Sequence, residues 1–393
     1  MSKQLSSHRE MRVSTVIKIL KALQDGANSI RAIQHKTGLS WGSCSEIVSM
    51  LRDKKILVPV KGRQEPQHKA GRKTTLIQFN PKQNLLFGME IREKEINCSI
   101  ISLGKAELYR NTFPMKDELS NKSLFKNISA AFITCLIENS LKPENVLGLS
   151  LSLSGGIDFK NLIWISTPRT TKIKNVNLKE LYNILPNIRY ITIEHDIHGQ
   201  ASSVMNINKW KHKNTAFVHC GEGVGMSFSS DRMYTGYRGF AGEIGHIPYP
   251  GSVLKNQCSC GNINCIETFL SEKGILHFIN TTFRKTFSTI EDVDSTLLSH
   301  SKVIAHITEI LVFTLIIVSN TLDPETIVVG GQSLEPFYSS IKGTVEKRLQ
   351  EESWLGGPKK LLWFKKEHNN CAYGSIINAS DVIVEKFAAE YID

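Results

Sequence analysis

Residues 239–267 read GFAGEIGHIPYPGSVLKNQCSCGNINCIE and concentrate three thiols and one imidazole on a glycine-rich loop. The thiols of Cys258, Cys260 and Cys265 have the spacing C-x-C-x4-C, and His246 precedes them. Three cysteines and one histidine form a complete ligand set for a tetrahedral structural Zn²⁺, and the intervening glycine permits the tight turn that such a site needs. The stretch therefore predicts a structural zinc site.

Two alternatives explain these cysteines less well. Free cysteine behaves as a small hydrophobic residue and is often buried. That explanation suits the five cysteines in apolar or patterned runs, which are Cys44, Cys98, Cys135, Cys220 and Cys371. It does not suit three thiols clustered on a polar loop. A disulfide is disfavoured because three is an odd number and nothing in the chain indicates secretion.

Acidic side chains flank the predicted metal ligands. Glu243 precedes His246, and Glu267 follows the last thiol. A neutral histidine can bind zinc through one ring nitrogen while the other donates a hydrogen bond. Carboxylates accept hydrogen bonds from hydroxyls, so this loop suits a polyhydroxylated ligand such as a sugar. Four protein ligands leave no open coordination position, which argues against a metal-activated water.

The same elements occur together in a known family. Gly239, AGEIGH (241–246) and CSCGNINCIE (258–267), with their separation, resemble the sugar-binding and zinc signatures of the ROK family of repressors, open reading frames and sugar kinases. The resemblance implies an α/β chain with a duplicated actin-like body of two lobes and a ligand in the cleft between them. Its N-acetylglucosamine- and glucose-type repressors are the branch that the chain resembles.

The net charge is concentrated at one end of the chain. The 393 residues carry a formal net charge of +11, and residues 1–82 contain 16 Lys and Arg against 5 Asp and Glu, which is 16 − 5 = +11. The remainder has 32 of each sign, which is zero. A basic block confined to a small segment favours a polyanionic partner such as nucleic acid. A merely solvated basic surface is the alternative.

The N-terminal residues predict a helix-turn-helix. Apolar spacing predicts a helix over 11–24, Ser29 is a good N-cap for a second helix, and a tight turn at 38–40 leads to a third. In the third helix Cys44, Ile47, Val48 and Leu51 form an apolar stripe. The predicted DNA-binding residues lie on the opposite side or at the start of that helix: Ser40, Trp41, Ser43, Ser45, Ser49 and Arg52.

Two strand-like runs, 56–60 and 74–80, flank a basic, turn-rich connection. This arrangement predicts a wing, whose Arg72 and Lys73 could reach phosphates or a narrow minor groove. A disordered basic loop is the alternative. ROK repressors have such a winged helix ahead of the sugar-binding body, and ROK kinases lack it. The expected domains are a winged helix-turn-helix over 1–82 and a body over 83–393, with lobes of roughly 83–196 plus the C-terminal helix, and 197–380.

The body reads as alternating strands and helices, which indicates an α/β fold. The pattern predicts strands at 84–92, 95–103, 144–158, 190–196 and 214–230, and helices at 120–139 and 299–320. The apolar run 307–320 carries Glu309 and polar residues, so it predicts a buried helix rather than a membrane span. With no N-terminal signal segment, the protein is expected to be cytoplasmic, without membrane insertion.

The kinase signatures are incomplete. ROK kinases place Asp-x-Gly-Gly-Thr on the first strand of the body, where this chain has Met89 to Lys94. The second phosphate loop survives as 221–225, but Glu222 would repel a triphosphate. Asp196 matches the family's catalytic base, yet it can bind a hydroxyl without any chemistry following. No catalytic residue is therefore predicted.

The family resemblance completes the sugar-binding set. It adds Gly155, Gly156, His195 and Asp196 to the side chains of the signature loop, with His195 where the family usually has Asn. Among other residues, Trp41 is expected to pack rather than wedge between bases. His198 is expected at a surface or a helix start, and Trp164 could be core or could cover the sugar.

The sequence thus predicts a homodimeric or tetrameric repressor of sugar-utilisation genes. Its partners would be a palindromic DNA operator and a sugar or sugar-phosphate effector, or a sugar-transport protein in place of the free sugar. Two alternatives stay open. One is a sugar kinase with an added DNA-binding domain, and the other is a regulator whose cleft binds no small ligand.

Overall fold

The structure is a computed structural model that describes residues 2–60, 75–168, 170–185, 187–207, 214–230, 232–237, 239–251, 255–365 and 370–390, with side chains from residue 9 onward. The chain forms two units. The first contains residues 1–202 and 371–393, and the second contains residues 203–370. The N-terminal helices therefore belong to the same unit as the first part of the body and the C-terminal helix.

Helices and strands alternate through most of the described chain. The helices are α1 (Ser2–Gln24), α2 (Ile30–Thr37), α3 (Trp41–Asp53), α4 (Leu124–Glu138), α5 (Leu181–Ile184), α6 (Asp196–Ile207), α7 (Glu267–Leu270), α8 (Glu272–Phe283), α9 (Ser295–Leu298), α10 (Ser301–Leu322), α11 (Tyr338–Glu352) and α12 (Cys371–Glu390). The strands are β1 (Leu57–Pro59), β2 (Ile77–Phe79), β3 (Leu85–Ile91), β4 (Glu95–Ile101), β5 (Glu107–Pro114), β6 (Val146–Leu153), β7 (Gly156–Asp158), β8 (Ile163–Thr167), β9 (Thr170–Asn177), β10 (Tyr190–His195), β11 (Thr215–Cys220), β12 (Val224–Ser229), β13 (Thr326–Gly330) and β14 (Lys360–Phe364).

The three N-terminal helices form as the sequence predicts. The side-chain oxygens of Ser29 and Ser40 cap α2 and α3, accepting hydrogen bonds from the amides of Ala32 and Ser43 over 3.3 Å and 3.1 Å. The predicted stripe of Cys44, Ile47, Val48 and Leu51 is buried. Strands β1 and β2 pair in antiparallel fashion beside these helices. The first helix ends at the predicted residue but begins earlier, at Ser2.

The first unit is built on a five-stranded sheet of order β10-β6-β3-β4-β5. Strands β10, β6 and β3 are parallel, and β3, β4 and β5 form an antiparallel meander. Helix α4 packs with one core, whereas α12 belongs to a second core that it shares with α1. Trp164 is buried in the first of these cores, and its Nε1 donates to the carbonyl of Ser154 over 2.9 Å. Of the two roles left open for this tryptophan, the core role is confirmed.

The second unit has a four-stranded sheet of order β12-β11-β13-β14. An antiparallel hairpin, β11–β12, is followed outward by two strands parallel to β11. Each unit thus combines an antiparallel hairpin with parallel strands, which is the arrangement expected of a duplicated actin-like body. The predicted single strands at 144–158 and 214–230 are each two strands, because turns at 154–155 and 221–223 interrupt them.

Helix α10 is long and apolar enough to cross a membrane by length and composition alone, but 56% of its most apolar window is buried within the protein. Its buried side chains belong to the core of the second unit. This confirms the prediction of a buried helix over the apolar run. Helix α11 and strand β14, which sequence periodicity did not reveal, pack beside it in that unit.

Candidate functional site

The AGEIGH segment lies directly against strand β12. Gly242 has φ +97°, and a Cβ placed on it would lie 1.9 Å from the carbonyl oxygen of Met226. A Cβ on Gly245 would lie 2.1 Å from the carbonyl oxygen of Val224. The amide of Met226 donates to the carbonyl of Gly242 over 2.9 Å. Both positions require glycine because two backbones touch there, and this contact positions the polar side chains of the segment.

The three thiols are carried by a short hairpin in the same unit. The amide of Cys258 donates to the carbonyl of Asn262 over 2.9 Å, and the amide of Gly261 donates to the carbonyl of Cys258 over 3.0 Å. Gly261 has φ +95°, as a tight turn at this position requires. Cys265 forms an isolated β-bridge with Pro248, two residues after the predicted histidine ligand. The hairpin therefore brings the third thiol back to the imidazole.

The four predicted metal ligands converge. One ligand atom from each of His246, Cys258, Cys260 and Cys265 lies within 4.8 Å of the others. The Sγ atoms of Cys260 and Cys265 are 3.7 Å apart, and Sγ of Cys258 is 3.6 Å from Nδ1 of His246. A tetrahedral ion with bonds of about 2.3 Å to sulfur and about 2.0 Å to nitrogen separates such pairs by about 3.8 Å and about 3.5 Å. This cluster could hold a metal ion.

The pKa values of the three thiols reflect burial and the contacts among them. Burial raises the pKa of Cys265 to about 12, and it also raises the pKa of Cys258. A hydrogen bond from the amide of Asn262 instead lowers the pKa of Cys260. Thiols this close cannot all ionise unless a cation compensates them, because each thiolate repels the next. A divalent cation held by the cluster would supply that compensation.

The two carboxylates beside the cluster have different surroundings. Oε2 of Glu267 accepts a hydrogen bond from the amide of Val224 over 3.2 Å, and a Cβ on Gly223 would lie 2.9 Å from the same oxygen. Oε2 of Glu243 lies 3.7 Å from Nε2 of His246, which is beyond hydrogen-bond distance. Glu267 therefore links the start of α7 to the glycine-rich turn at 221–223, whereas Glu243 lies beside the imidazole of His246.

Four predicted sugar-binding residues lie in the first unit, at the ends of parallel strands. Strand β6 ends at Leu153 and β10 ends at His195, and these two residues are paired in the sheet. Gly155 follows β6 with φ +88°, and a Cβ on it would lie 2.3 Å from the carbonyl oxygen of Ser166; Gly156 begins β7. Ligands of α/β proteins commonly bind where parallel strands end. The structure brings these residues to the edge of the sheet where the parallel strands β6 and β10 end.

Asp196 begins α6 at that edge. Its Oδ1 accepts a hydrogen bond from the amide of Ile197 over 2.9 Å and lies 3.0 Å from Nδ1 of His195. The helix dipole stabilises a carboxylate in the first turn of a helix. The imidazole and the carboxylate can together accept a hydrogen bond from one hydroxyl and donate one to another.

Sequence reasoning missed an ion pair at the same edge. Nε of Arg92 donates to Oε1 of the buried Glu90 over 3.0 Å. Strand β3 lies parallel to β6, so this pair lies at the end of the third parallel strand, with Glu90 in β3 and Arg92 directly after it. Burial raises the pKa of Cys371, and the nearby carboxylates of Glu90 and Asp196 add to the effect, which places the start of α12 here as well. The alternating charges of EIREKE (90–95) were the signal available in the sequence.

His198 occupies one of the two positions predicted for it. It is the third residue of α6, as a helix-start residue should be, but it is buried rather than at the surface. Its Nδ1 is 2.8 Å from Oε1 of Glu194, and Nδ2 of Asn378 donates to the other oxygen of that carboxylate over 3.2 Å. Asn378 lies on α12, which covers this face of α6. The helix-start position is confirmed, and the surface alternative does not hold because α12, whose packing could not be read from local sequence, covers this residue.

The predicted DNA-binding residues of α3 are solvent-accessible. Those exposed are Ser40, Trp41, Ser49 and Arg52, and those half-buried are Ser43 and Ser45. Trp41 is 60% exposed, so the packing prediction for it is wrong; the buried stripe begins one turn later, at Cys44. Arg72 and Lys73 lie outside the described residues. Nη2 of Arg12 donates to Oε1 of Glu46 over 3.1 Å and ties α1 to α3.

Comparison with known proteins identifies the family. A model described as the ROK family matches residues 86–381, which is well over half of the chain. The chain belongs to the ROK family. Helices α1 to α3 precede the matched segment, and the strands and helices of both units lie largely within it.

Individual relatives include repressors and kinases. A xylose repressor of Bacillus subtilis is 23% identical over 393 residues, covering 96% of each chain. A glucokinase of Halalkalibacterium halodurans is 32% identical over 281 residues, covering 62% of this chain and 79% of that protein. A solved ROK family transcriptional regulator, a homologue of the E. coli MLC protein, matches with a TM-score of 0.78 at 18% identity, covering 97% of this chain and 100% of that one. The predicted fold, a winged helix-turn-helix followed by an actin-like body, is confirmed.

The contact between the AGEIGH segment and β12 can be tested by adding one methyl group. Gly242→Ala is expected to lower the free energy of unfolding by about 2 kcal/mol or more, because the methyl meets the Met226 carbonyl and the residue has positive φ. The control is Gly343→Ala on α11, where a Cβ meets nothing within 4 Å; it should leave stability unchanged or raise it by up to about 1 kcal/mol. Urea unfolding followed by circular dichroism measures both. Equal stability of the two variants would contradict the contact.

Proposed function

We propose that this protein is a repressor of sugar-utilisation genes whose operator binding is controlled by a sugar or sugar phosphate. The observation that carries the proposal is the α2–turn–α3 pair, with its polar exposed face, ahead of a body that holds the ROK sugar-binding signature. The alignment with the xylose repressor extends over nearly the whole chain, including these helices, which supports it. Residues 1–82 would form the DNA-binding domain and 83–393 the effector-binding body.

DNA recognition would use α3 and the wing. In a helix-turn-helix the second helix of the pair enters the major groove with its N-terminal residues nearest the bases. Trp41, Ser43 and Ser45 would then lie near base edges or sugar, and Arg52 near phosphate. The charge of +11 on residues 1–82 would provide the sequence-independent attraction and make binding weaken steeply with salt.

The effector would be polyhydroxylated, since the residues proposed to bind it carry carboxylates, imidazoles and exposed backbone. They are Gly155, Gly156, His195 and Asp196 in the first unit and Glu243, His246 and Glu267 in the second. The named repressor relatives make xylose the first sugar to test.

We propose that the Cys and His cluster binds structural Zn²⁺. Residues His246, Cys258, Cys260 and Cys265 would complete its coordination, so the ion would hold the loop rather than activate water. His246, bound through Nδ1, would direct Nε2 toward Glu243, since that nitrogen already faces the carboxylate at 3.7 Å. The metal would thereby fix two of the proposed sugar-binding side chains.

Regulation of operator binding would follow from thermodynamic linkage between the operator and the effector. A homodimer or tetramer in the cytoplasm would present two winged helices to a palindromic operator. If the effector changes their separation and lowers operator affinity by some factor, the operator must lower effector affinity by the same factor. A sugar-transport protein could deliver the signal in place of the free sugar by binding the DNA-free form.

A sugar kinase is the second candidate, because Asp196 occupies the position of the kinase base and a glucokinase is among the relatives. The charges near the strand ends argue against it. Residues 90–95 carry two basic and three acidic side chains, which is 2 − 3 = −1, and Glu222 adds a carboxylate to the second phosphate loop. Neither segment favours a triphosphate.

Operator binding is the first test. Selection from a random duplex pool should yield a palindromic site, and one sugar or sugar phosphate from a panel beginning with xylose should weaken binding to it. Because its proposed contact is with phosphate, Arg52→Ala should weaken binding about equally for the selected site and for other sequences. Lys302→Ala, which removes one positive charge from the second unit, should change binding little. Fluorescence anisotropy measures each affinity at fixed salt. An Arg52→Ala protein that binds the selected site like wild type would count against the assignment of α3.

Catalysis gives a separate test. We expect no sugar-dependent ADP formation when the protein is incubated with ATP, Mg²⁺ and the sugar panel in a coupled spectrophotometric assay. Turnover above background that Asp196→Ala abolishes would establish the kinase and overturn this expectation. Turnover that survives in Asp196→Ala would indicate a contaminating kinase.

Zinc binding is tested by metal analysis. Cys258→Ser is expected to reduce bound zinc from one ion per chain to substoichiometric content, lower the melting temperature and abolish the response to the effector, while operator binding remains. Cys220→Ala alters a buried thiol of the same unit outside the cluster and should retain the metal. Atomic emission spectrometry measures the content. Full zinc occupancy in Cys258→Ser would refute the assignment of that ligand.

A further inference from the structure

Two large apolar side chains project from the second unit after the end of α11. Trp354 is 78% exposed and Leu355 is 89% exposed. Single exposed apolar residues are common on protein surfaces, but adjacent exposed Trp and Leu at one tip are not explained by packing within the chain. We call residues Trp354 and Leu355 the apolar tip.

The backbone of the apolar tip is held in an unfavourable conformation. Leu355 has φ +55°, and the next two residues, Gly356 and Gly357, have φ +87° and +72°. A leucine in the left-handed region is disfavoured, and such residues persist where the surroundings impose them, often at functional surfaces. The amide of Trp354 donates to Oδ1 of Asn320 over 3.0 Å, which anchors the tip to the last turns of α10. The tip is therefore presented in a defined geometry.

An apolar pocket lies at the end of the same helix. Its volume is about 410 Å³, and its lining includes Met226, Phe228, Tyr234, Tyr237, Phe240 and Leu322. Tyr237 is fully exposed, and Tyr234 and Phe240 are also exposed at its rim. Aromatic walls of this kind suit an apolar side chain such as leucine. They suit an indole in particular, because aromatic pairs contribute energy beyond the area they bury.

The pocket and the tip share one edge of the four-stranded sheet. Leu322 precedes β13, and Phe228 pairs with Ala216 near the beginning of β11. Trp354 precedes β14 and is bonded to α10 two residues before Leu322. Since β11, β13 and β14 are parallel, this is the edge where those strands begin. The glycine-rich turn at 221–223 and the carboxylate of Glu267 lie where β11 ends, whereas the pocket adjoins the start of the AGEIGH segment, since Ala241 and Gly242 also line it.

We propose that the apolar tip of one chain inserts into this pocket of a second copy, and that the partner's tip enters the first pocket in return. One chain carries both complementary parts on one edge, which is the requirement for an isologous two-fold interface that closes on itself. Two reciprocal tips would place two Trp and two Leu at the interface, and buried Trp with surrounding Tyr is typical of interface hot spots. A polar rim is available beside the tip, where Arg348 bonds Glu309 and Glu352.

This surface would supply the dimer of the proposed repressor, but its test requires neither DNA nor sugar. Trp354→Lys and Tyr237→Glu each change an exposed side chain, so the fold should be retained, as circular dichroism and zinc content can verify. Each variant alone should raise the dimer dissociation constant at least about a hundredfold, because both copies of the contact change in every dimer. Ile137→Glu, a charge placed at a 70% exposed apolar residue of the first unit, should leave it unchanged. Sedimentation equilibrium measures all three.

Mixing the two variants gives a sharper readout. A heterodimer of Trp354→Lys with Tyr237→Glu keeps one unaltered tip in one unaltered pocket and sets Lys against Glu in the other. Equimolar mixing should therefore restore dimers from two largely monomeric samples, and tags of different mass identify them as heterodimers. A monomeric wild-type protein would overturn the proposal. So would dimers that both variants leave intact, which would assign the surface to another partner while leaving the operator and sugar tests unaffected.

Discussion

The first unit depends on the close contact that its C-terminal helix, α12, makes with strand β3 and helix α6. A Cβ on Gly88 would lie 2.0 Å from the carbonyl oxygen of Ala372, and a Cβ on Gly199 would lie 2.8 Å from that of Cys371. Strand β3 and helix α6 therefore carry no side chain where the first turn of α12 meets them. This close contact buries α12 against the sheet. It also places Asn378 of α12 where its amide donates a hydrogen bond to Glu194, the carboxylate that contacts His198. Without the C-terminal helix, one face of the sheet would lack its cover.

The same helix also packs against α1, the first of the three N-terminal helices. Its later turns share one hydrophobic core with α1, in which Ile383 and Phe387 belong with Ile19 and Leu20, and Nζ of Lys21 donates to Oε1 of Glu385 over 2.7 Å. Its first residue, Cys371, lies near the carboxylates of Glu90 and Asp196, at the edge of the sheet that carries the proposed sugar-binding residues of this unit. One continuous helix thus contacts both regions that a ligand-controlled repressor has to connect.

Local chemistry was predictable from the sequence, and long-range packing was not. The thiol spacing and the glycine after Cys260 predicted the Cys and His cluster, because its members are close in the chain. The apolar stripe of α3 was equally local. The burial of His198, the Glu90–Arg92 pair and the position of Cys371 all depend on strands and helices that are distant in sequence. Trp41 shows the converse error, since an aromatic residue at a helix start has no local feature that distinguishes a packed ring from an exposed one.

Charged side chains occupy the end of β3, where the sequence predicts an incomplete kinase signature. At the end of β3, the guanidinium of Arg92 is engaged by the buried Glu90 and by Glu95, at 3.0 Å and 3.4 Å. A positive group already neutralised by two carboxylates offers little attraction to a phosphate, and burying Glu90 without its arginine would be costly. The pair therefore stabilises this strand end. The sheet beneath is unaffected, because β3 keeps its buried pattern of side chains up to Ile91. The charged strand end and the retained fold are thus compatible at the same position.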